Sequence, residues 1–153
     1  MILRETEDEL LALGAVVVRL GGLYGPGRSP VEWLARPEMR ERILQGGREA
    51  WMNWIHVDDA ANAAVLALER ARSGEIYLGV DDKPVRRGEF YRFAAECAGL
   101  EPPELPSTPD DLGKRCSNRK AREQLGFRPE LPSYREGLRA IAMEGGGRTG
   151  DKA

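Results

Sequence analysis

The run Asn53-Trp54-Ile55-His56-Val57-Asp58-Asp59-Ala60-Ala61-Asn62-Ala63-Ala64 decides the fold. Trp54-Ile55-His56-Val57 reads as a short strand, and the alanine-rich stretch behind it favours a helix. Asp58 or Asp59 is placed to cap that helix, which the pattern carries to about Ala71. An apolar strand passing straight into a helix is a unit of an α/β fold with right-handed crossovers.

Working upstream, Glu5 to Leu13 reads as a helix with acids early, closed by Gly14. Ala15-Val16-Val17-Val18-Arg19-Leu20 is a continuous apolar run of the kind found in buried parallel strands. The glycine-rich segment Gly21 to Gly27 follows as a loop, and a helix is expected from Val31 to about Leu44, broken by Gly46-Gly47. Downstream, Ser73-Gly74 turns the chain into a strand over Glu75 to Val80, and Asp81 to Pro84 is a turn. A helix from Gly88 to Ala98 closes at Gly99, and Pro102 to Pro109 is a loop. Lys114 to Ser117 reads as a short extended piece, with Ser117 or Asn118 capping a helix to Leu125. Ser133-Tyr134-Arg135-Glu136 opens the last helix as a capping box, and residues 145–153 read as a flexible tail after a unit spanning 1–144. Two long strands make a poor free-standing parallel sheet, so Ala15–Leu20 reads as an inner strand lacking a neighbour.

The 153 residues suffice for one core, with 41% hydrophobic and 31% charged residues and a net charge of −2. Basic residues are scattered among acids, which gives no electrostatic case for nucleic acid or a membrane surface. No apolar run approaches the ~20 residues of a membrane span, and the acidic N-terminus has no signal-peptide core. Cys97 and Cys116 stand apart without metal-ligand spacing. Reduced thiols, no metal and a cytoplasmic setting are the expectation.

Taken with Arg19-Leu20-Gly21-Gly22-Leu23-Tyr24-Gly25-Pro26-Gly27-Arg28, the opening run resembles the C-terminal half of extended or atypical short-chain dehydrogenase/reductases. That superfamily includes the NAD-dependent epimerases and dehydratases. Lys114-Arg115-Cys116-Ser117-Asn118, Leu125-Gly126-Phe127-Arg128-Pro129 and Ser133 to Leu138 resemble its final signature, in family order from about Gly14 to Ile141. The resemblance implies an α/β fold: the C-terminal part of a Rossmann-like NAD(P)-binding fold plus a small substrate-binding subdomain, with the N-terminal mononucleotide half missing. It implies that Gly21, Gly22, Leu23 and Tyr24 line the nicotinamide side of a bound NAD or NADP. Arg28, Asn53, Lys114 and Arg115 would border a small-molecule substrate, a sugar or other carbinol or carbonyl compound. Epimerases for nucleotide sugars often carry Arg-Asp before the His-Val-Asp-Asp motif; Met52-Asn53 stand there instead.

From spacing alone, the Gly21–Arg28 loop is open to two readings, a close approach to a cofactor or a tight exit from a strand, and it is not the dinucleotide fingerprint. Arg19 is expected to anchor its strand by pairing with a carboxylate. His56, the one histidine, reads as a structural residue rather than a general base. Trp51 and Trp54 read as packing.

The family's acid/base tyrosine has a lysine four residues on, a spacing that none of Tyr24, Tyr77, Tyr91 or Tyr134 has. That motif would fall at or before Met1. The expectation is therefore a substrate-binding portion that is inactive alone and binds no cofactor tightly by itself. Two alternatives stay open: a non-catalytic remnant that binds or oligomerises through its sheet edge, partnered by its own copy or a missing N-terminal half, and an unrelated small α/β binding domain.

Overall fold

A computed structural model describes residues 2–107 and 113–146. In chain order the elements are α1 (Ile2–Ala12), β1 (Val17–Leu20), β2 (Gly22–Tyr24), α2 (Pro30–Leu34), α3 (Pro37–Leu44), β3 (Trp51–Met52) and β4 (Trp54–His56). There follow α4 (Val57–Arg70), β5 (Ile76–Gly79), β6 (Val85–Arg86), α5 (Arg87–Ala98), α6 (Arg119–Leu125) and α7 (Tyr134–Gly146). β1 pairs in parallel with β5, Val17 opposite Ile76 and Leu20 opposite Gly79. β2 pairs in parallel with β4, Gly22 opposite Trp54 and Tyr24 opposite His56. β3 and β6 form a short antiparallel pair.

Gly21 is where the chain changes partner. Its amide donates to Gly79 O at 2.9 Å, whereas the next amide, of Gly22, donates to Asn53 O at 2.8 Å. A Cβ at Gly21 would lie 2.7 Å from that same Asn53 oxygen and 3.1 Å from Val80 Cγ1. Side-chain volume is excluded there by two strands, which is why a glycine stands at the junction.

Two buried clusters fill the molecule. One holds Ile55, Ala63, Ala67, Tyr77, Leu125 and Phe127 between the strands, α4 and α6. The other joins Tyr24, Trp54, Phe90, Phe93, Tyr134 and Leu138, with Trp54 stacked on Phe90 at 4.3 Å between centroids. Adjacent β2 residues point opposite ways, as the strand period of two requires: Leu23 packs on the first cluster, Tyr24 belongs to the second.

Several local expectations are corrected. The single helix over Val31–Leu44 is two, α2 and α3, because Pro37 forces Arg36 into the extended region (φ −99°, ψ 117°) and restarts the helix at its own ring. The glycine-rich loop contains β2, whose hydrogen bonds come from a distant partner strand. The helix over Val57–Arg70 is capped by His56, whose Nδ1 accepts the Asp58 amide at 3.4 Å, not by Asp58 or Asp59. Lys114–Ser117 forms no strand. β1 is half-exposed rather than buried, with Leu20 42% accessible. The capping box at Ser133 is present: its hydroxyl accepts the Arg135 amide at 3.2 Å and donates to the Glu136 carboxylate, which holds that carboxyl below its usual range. α7 continues to Gly146, two residues into the expected tail, and 147–153 lie outside the described residues.

Candidate functional site

Asn53, between β3 and β4, joins three parts of the chain that are remote in sequence. Its carbonyl receives the Gly22 amide. Its side-chain Nδ2 donates to Lys114 O at 2.8 Å, and its Oδ1 accepts the Cys116 amide at 2.7 Å. A primary amide has one donor face and one acceptor face, so it substitutes for a strand's peptide group and brackets Arg115 from both sides. The expected site residues Gly21, Gly22, Asn53, Lys114 and Arg115 are thus brought together.

Beside this junction lies an open cleft of about 660 Å³ between the Asp81–Pro84 turn and the 115–118 segment, also lined by Arg122. Its walls are fixed by charge. Arg122 Nη1 lies 2.8 Å from both carboxylate oxygens of Asp82, and Asn118 Nδ2 donates to Asp82 at 2.7 Å and to Val80 O at 2.9 Å. Asp81 faces the interior. It is 2% accessible, one oxygen accepts the Lys83 amide at 3.0 Å, and the other has no hydrogen-bond partner among the described residues. Burial pushes its carboxyl up to about 7 against the opposing pull of the Lys83 and Tyr134 amides, with Asp82 and Glu136 adding to the rise.

The remaining expected residues are placed differently. Leu23 is half-buried in the strand. Tyr24 is fully buried, edge-on to Trp54 and His56 (centroids 6.0 and 5.4 Å), and its hydroxyl has no hydrogen-bond partner among the described residues. Gly137 of α7 leaves room for the Tyr24 ring, which a Cβ there would strike. Burial raises the Tyr24 hydroxyl far above its ordinary value, so it stays protonated. Arg28 is exposed at the Gly25–Arg28 turn and donates to Leu23 O at 3.4 Å. The Gly21 and Gly22 amides are both used by the sheet, so neither glycine has a spare backbone donor. Gly145 to Gly150 has the spacing G-x-G-x-x-G, yet its first two residues end a helix instead of following a strand, which is not a dinucleotide-binding context.

Sequence reading missed the tie made by Asp59. Its carboxylate accepts the amides of Glu130 (2.7 Å) and Leu131 (3.2 Å), fastening the loop before α7 to the first turn of α4. Nothing in the local pattern separates a capping aspartate from one that reaches a loop seventy residues away in sequence. Arg19 pairs with Glu7 as expected, and the contact lowers the Glu7 carboxyl. Trp54 is core, while the Trp51 ring meets two guanidinium groups, Arg86 at 3.9 Å and Arg115 at 4.7 Å from its ring centre.

Parallel strands with covering helices and a polar cleft beyond the strand ends are the arrangement of a doubly wound α/β protein. The chain matches the NAD dependent epimerase/dehydratase family over residues 2–78 and belongs to it. It is 32% identical over 145 residues to a 3-diazoavenalumate denitrifying reductase of a Streptomyces species, covering 82% of this chain and 46% of that one. To protein YeeZ of Escherichia coli it is 32% identical over 135 residues, covering 86% and 47%. The fold matches that of RMD from Pseudomonas aeruginosa, solved with NADPH, at a TM-score of 0.70 and 19% identity, covering 93% and 54%. The chain spans about half the length of the curated relatives it matches. The expected Rossmann-like α/β class is confirmed, and the reading as an unrelated small domain is set aside. No helix among the described residues is long and apolar enough to cross a membrane.

Proposed function

We propose that this chain is the substrate-binding part of an NAD(P)-dependent epimerase, dehydratase or reductase, acting in the cytoplasm on a sugar or other carbinol or carbonyl compound. The convergence on Asn53 carries the reading: one side chain unites the strand junction at Gly21–Gly22 with the cleft-lining segment 114–116. The chemistry supplied by a bound nicotinamide is hydride exchange with a carbinol or carbonyl carbon. Gly21, Gly22 and Leu23 would form a flat wall beside it, and Arg115 and Lys114 would hold the substrate's far end. Proton transfer and the grip on the cofactor's phosphates would come from a Tyr-x-x-x-Lys motif and a Gly-rich βα turn, which this sequence lacks in their family positions. Alone, the chain is expected to bind neither NAD nor NADP tightly and to turn over no substrate.

Intact mass and N-terminal sequencing of the native polypeptide test this first. A longer protein carrying both motifs upstream, able to bind NAD(P) and reduce or oxidise a substrate, is the expected result. A native protein that begins at Met1 would refute it. A second reading, an association module, is favoured by the β1 edge that pairs with no strand among the described residues and by its apolar surround, where Leu13, Leu20 and Leu68 are 85%, 42% and 89% accessible. Concentration-dependent self-association without nucleotide binding would select it.

A further inference from the structure

The cleft beside the Asp81–Pro84 turn is lined by five charged side chains, which the fold balances, turns inward or leaves facing solvent. Asp82 is neutralised by Arg122, whose Nη1 lies against both its oxygens, and the Asp81 oxygen without a partner among the described residues is shut inside the protein. Lys83 and Arg115 remain, both exposed, both lining the cleft and neither in an ion pair among the described residues. With three cations against two carboxylates in its lining, the opening therefore presents net positive charge to solvent.

Arg115 is also held ready. Its backbone is bracketed by the Asn53 amide, which binds the residue before it and the residue after it. Its guanidinium lies 4.7 Å from the Trp51 ring centre, and Arg86 on the same ring at 3.9 Å is tied to the Glu49 carbonyl. A planar guanidinium laid on an aromatic ring keeps its N–H edge free, and that edge matches the two oxygens of an oxyanion. A side chain fixed in advance loses less rotamer freedom on binding than a free one.

We infer that this cleft is the receptor for an acidic group of the substrate, a carboxylate or phosphate, with Arg115 as the contacting residue, Lys83 as supporting charge and Asn53 as the positioning residue. This names a substrate class for the site proposed above and rests on that reading.

The test uses the 153-residue chain without cofactor, titrated with sodium phosphate and separately with sodium acetate at constant ionic strength, followed by ¹H–¹⁵N NMR. Saturable shifts are expected in the amides of 82–84 and 115–118 and in the Arg115 Nε–H signal. Tighter binding of phosphate would point to a phosphorylated substrate, and tighter binding of acetate to a carboxylic acid. Arg115→Gln, a change at an exposed side chain, should weaken binding at least tenfold with an unchanged melting temperature. Arg115→Lys should weaken it several-fold, since an ammonium has neither the fork nor the flat face. Asn53→Ala should weaken it several-fold and move the Arg115 Nε–H signal in the anion-free protein. Shifts that never saturate, or an affinity indifferent to Arg115→Gln, would overturn the assignment. An affinity and Nε–H signal indifferent to Asn53→Ala would overturn the positioning role. Failure here leaves NAD(P) binding by the longer native protein untouched, so the two readings fail separately.

Discussion

Replacing Asp81 by Asn should abolish a pH dependence of stability that the native chain carries between about pH 4 and pH 7. The Asp81 carboxyl is 2% accessible, and burial lifts it from an ordinary 3.8 to about 7. Because the folded state favours the protonated acid, the unfolded chain releases this proton near pH 4 while the native chain keeps it until near pH 7. Through that window the native state binds more protons, so unfolding free energy falls as pH rises, by about 1.4 kcal/mol per pH unit. The stabilisation is whole below pH 4 and gone above pH 7, and the total, about 4 kcal/mol, is a large share of the ~5–15 kcal/mol typical of a domain. Urea unfolding read by tryptophan fluorescence from pH 4.5 to 8 measures it, since Trp54 is in the core. The lowered carboxyls of Glu7 and Glu89 are common to both proteins and cancel in the difference. The difference curve should rise in favour of Asp81→Asn up to about pH 7 and then level. Parallel curves for the two proteins across this window would refute the argument.

Asp59→Ala removes a charged acceptor from two loop amides and should cost about 2–3 kcal/mol in urea denaturation, with faster hydrogen exchange at Glu130 and Leu131. Gly21→Ala places a methyl 2.7 Å from Asn53 O, so a loss of about 1–3 kcal/mol and faster exchange of the Gly22 amide are expected. Leu68→Glu, at a side chain 89% accessible, should leave the urea midpoint of the monomer within about 0.5 kcal/mol while lowering any self-association seen by analytical ultracentrifugation.

What could be read from the chain was what local chemistry dictates. The parallel pairing of Val17–Leu20 with Ile76–Gly79 follows from apolar runs separated by a helical stretch, and the Ser133–Glu136 box follows from a four-residue pattern. The helix stop at Arg36 was equally local, signalled by Pro37, yet the expected helix over Val31–Leu44 ran through it. β2, β3 and β6 were illegible because they are two or three residues long and take their hydrogen bonds from remote partners. Of the candidate site, Asn53, Lys114 and Arg115 were singled out only through family likeness; their contact across some sixty residues of chain is a tertiary fact. Asp81 gave no local sign, since an Asp-Asp-Lys-Pro turn reads as solvated and only the packing of α7 and the aromatic cluster turns one carboxyl inward.

The single file of residues Leu23 and Tyr24, one facing each cluster, has a consequence for anyone who would dissect the molecule. β2 and β4 are a party wall with a room on either side. Cutting the chain at the turn after β5 would leave each piece with a furnished face open to water, so neither room can be inherited, swapped or melted without the other. Unfolding should accordingly be one event, with fluorescence of Trp54 on one side and the hydroxyl environment of Tyr77 on the other reporting the same midpoint.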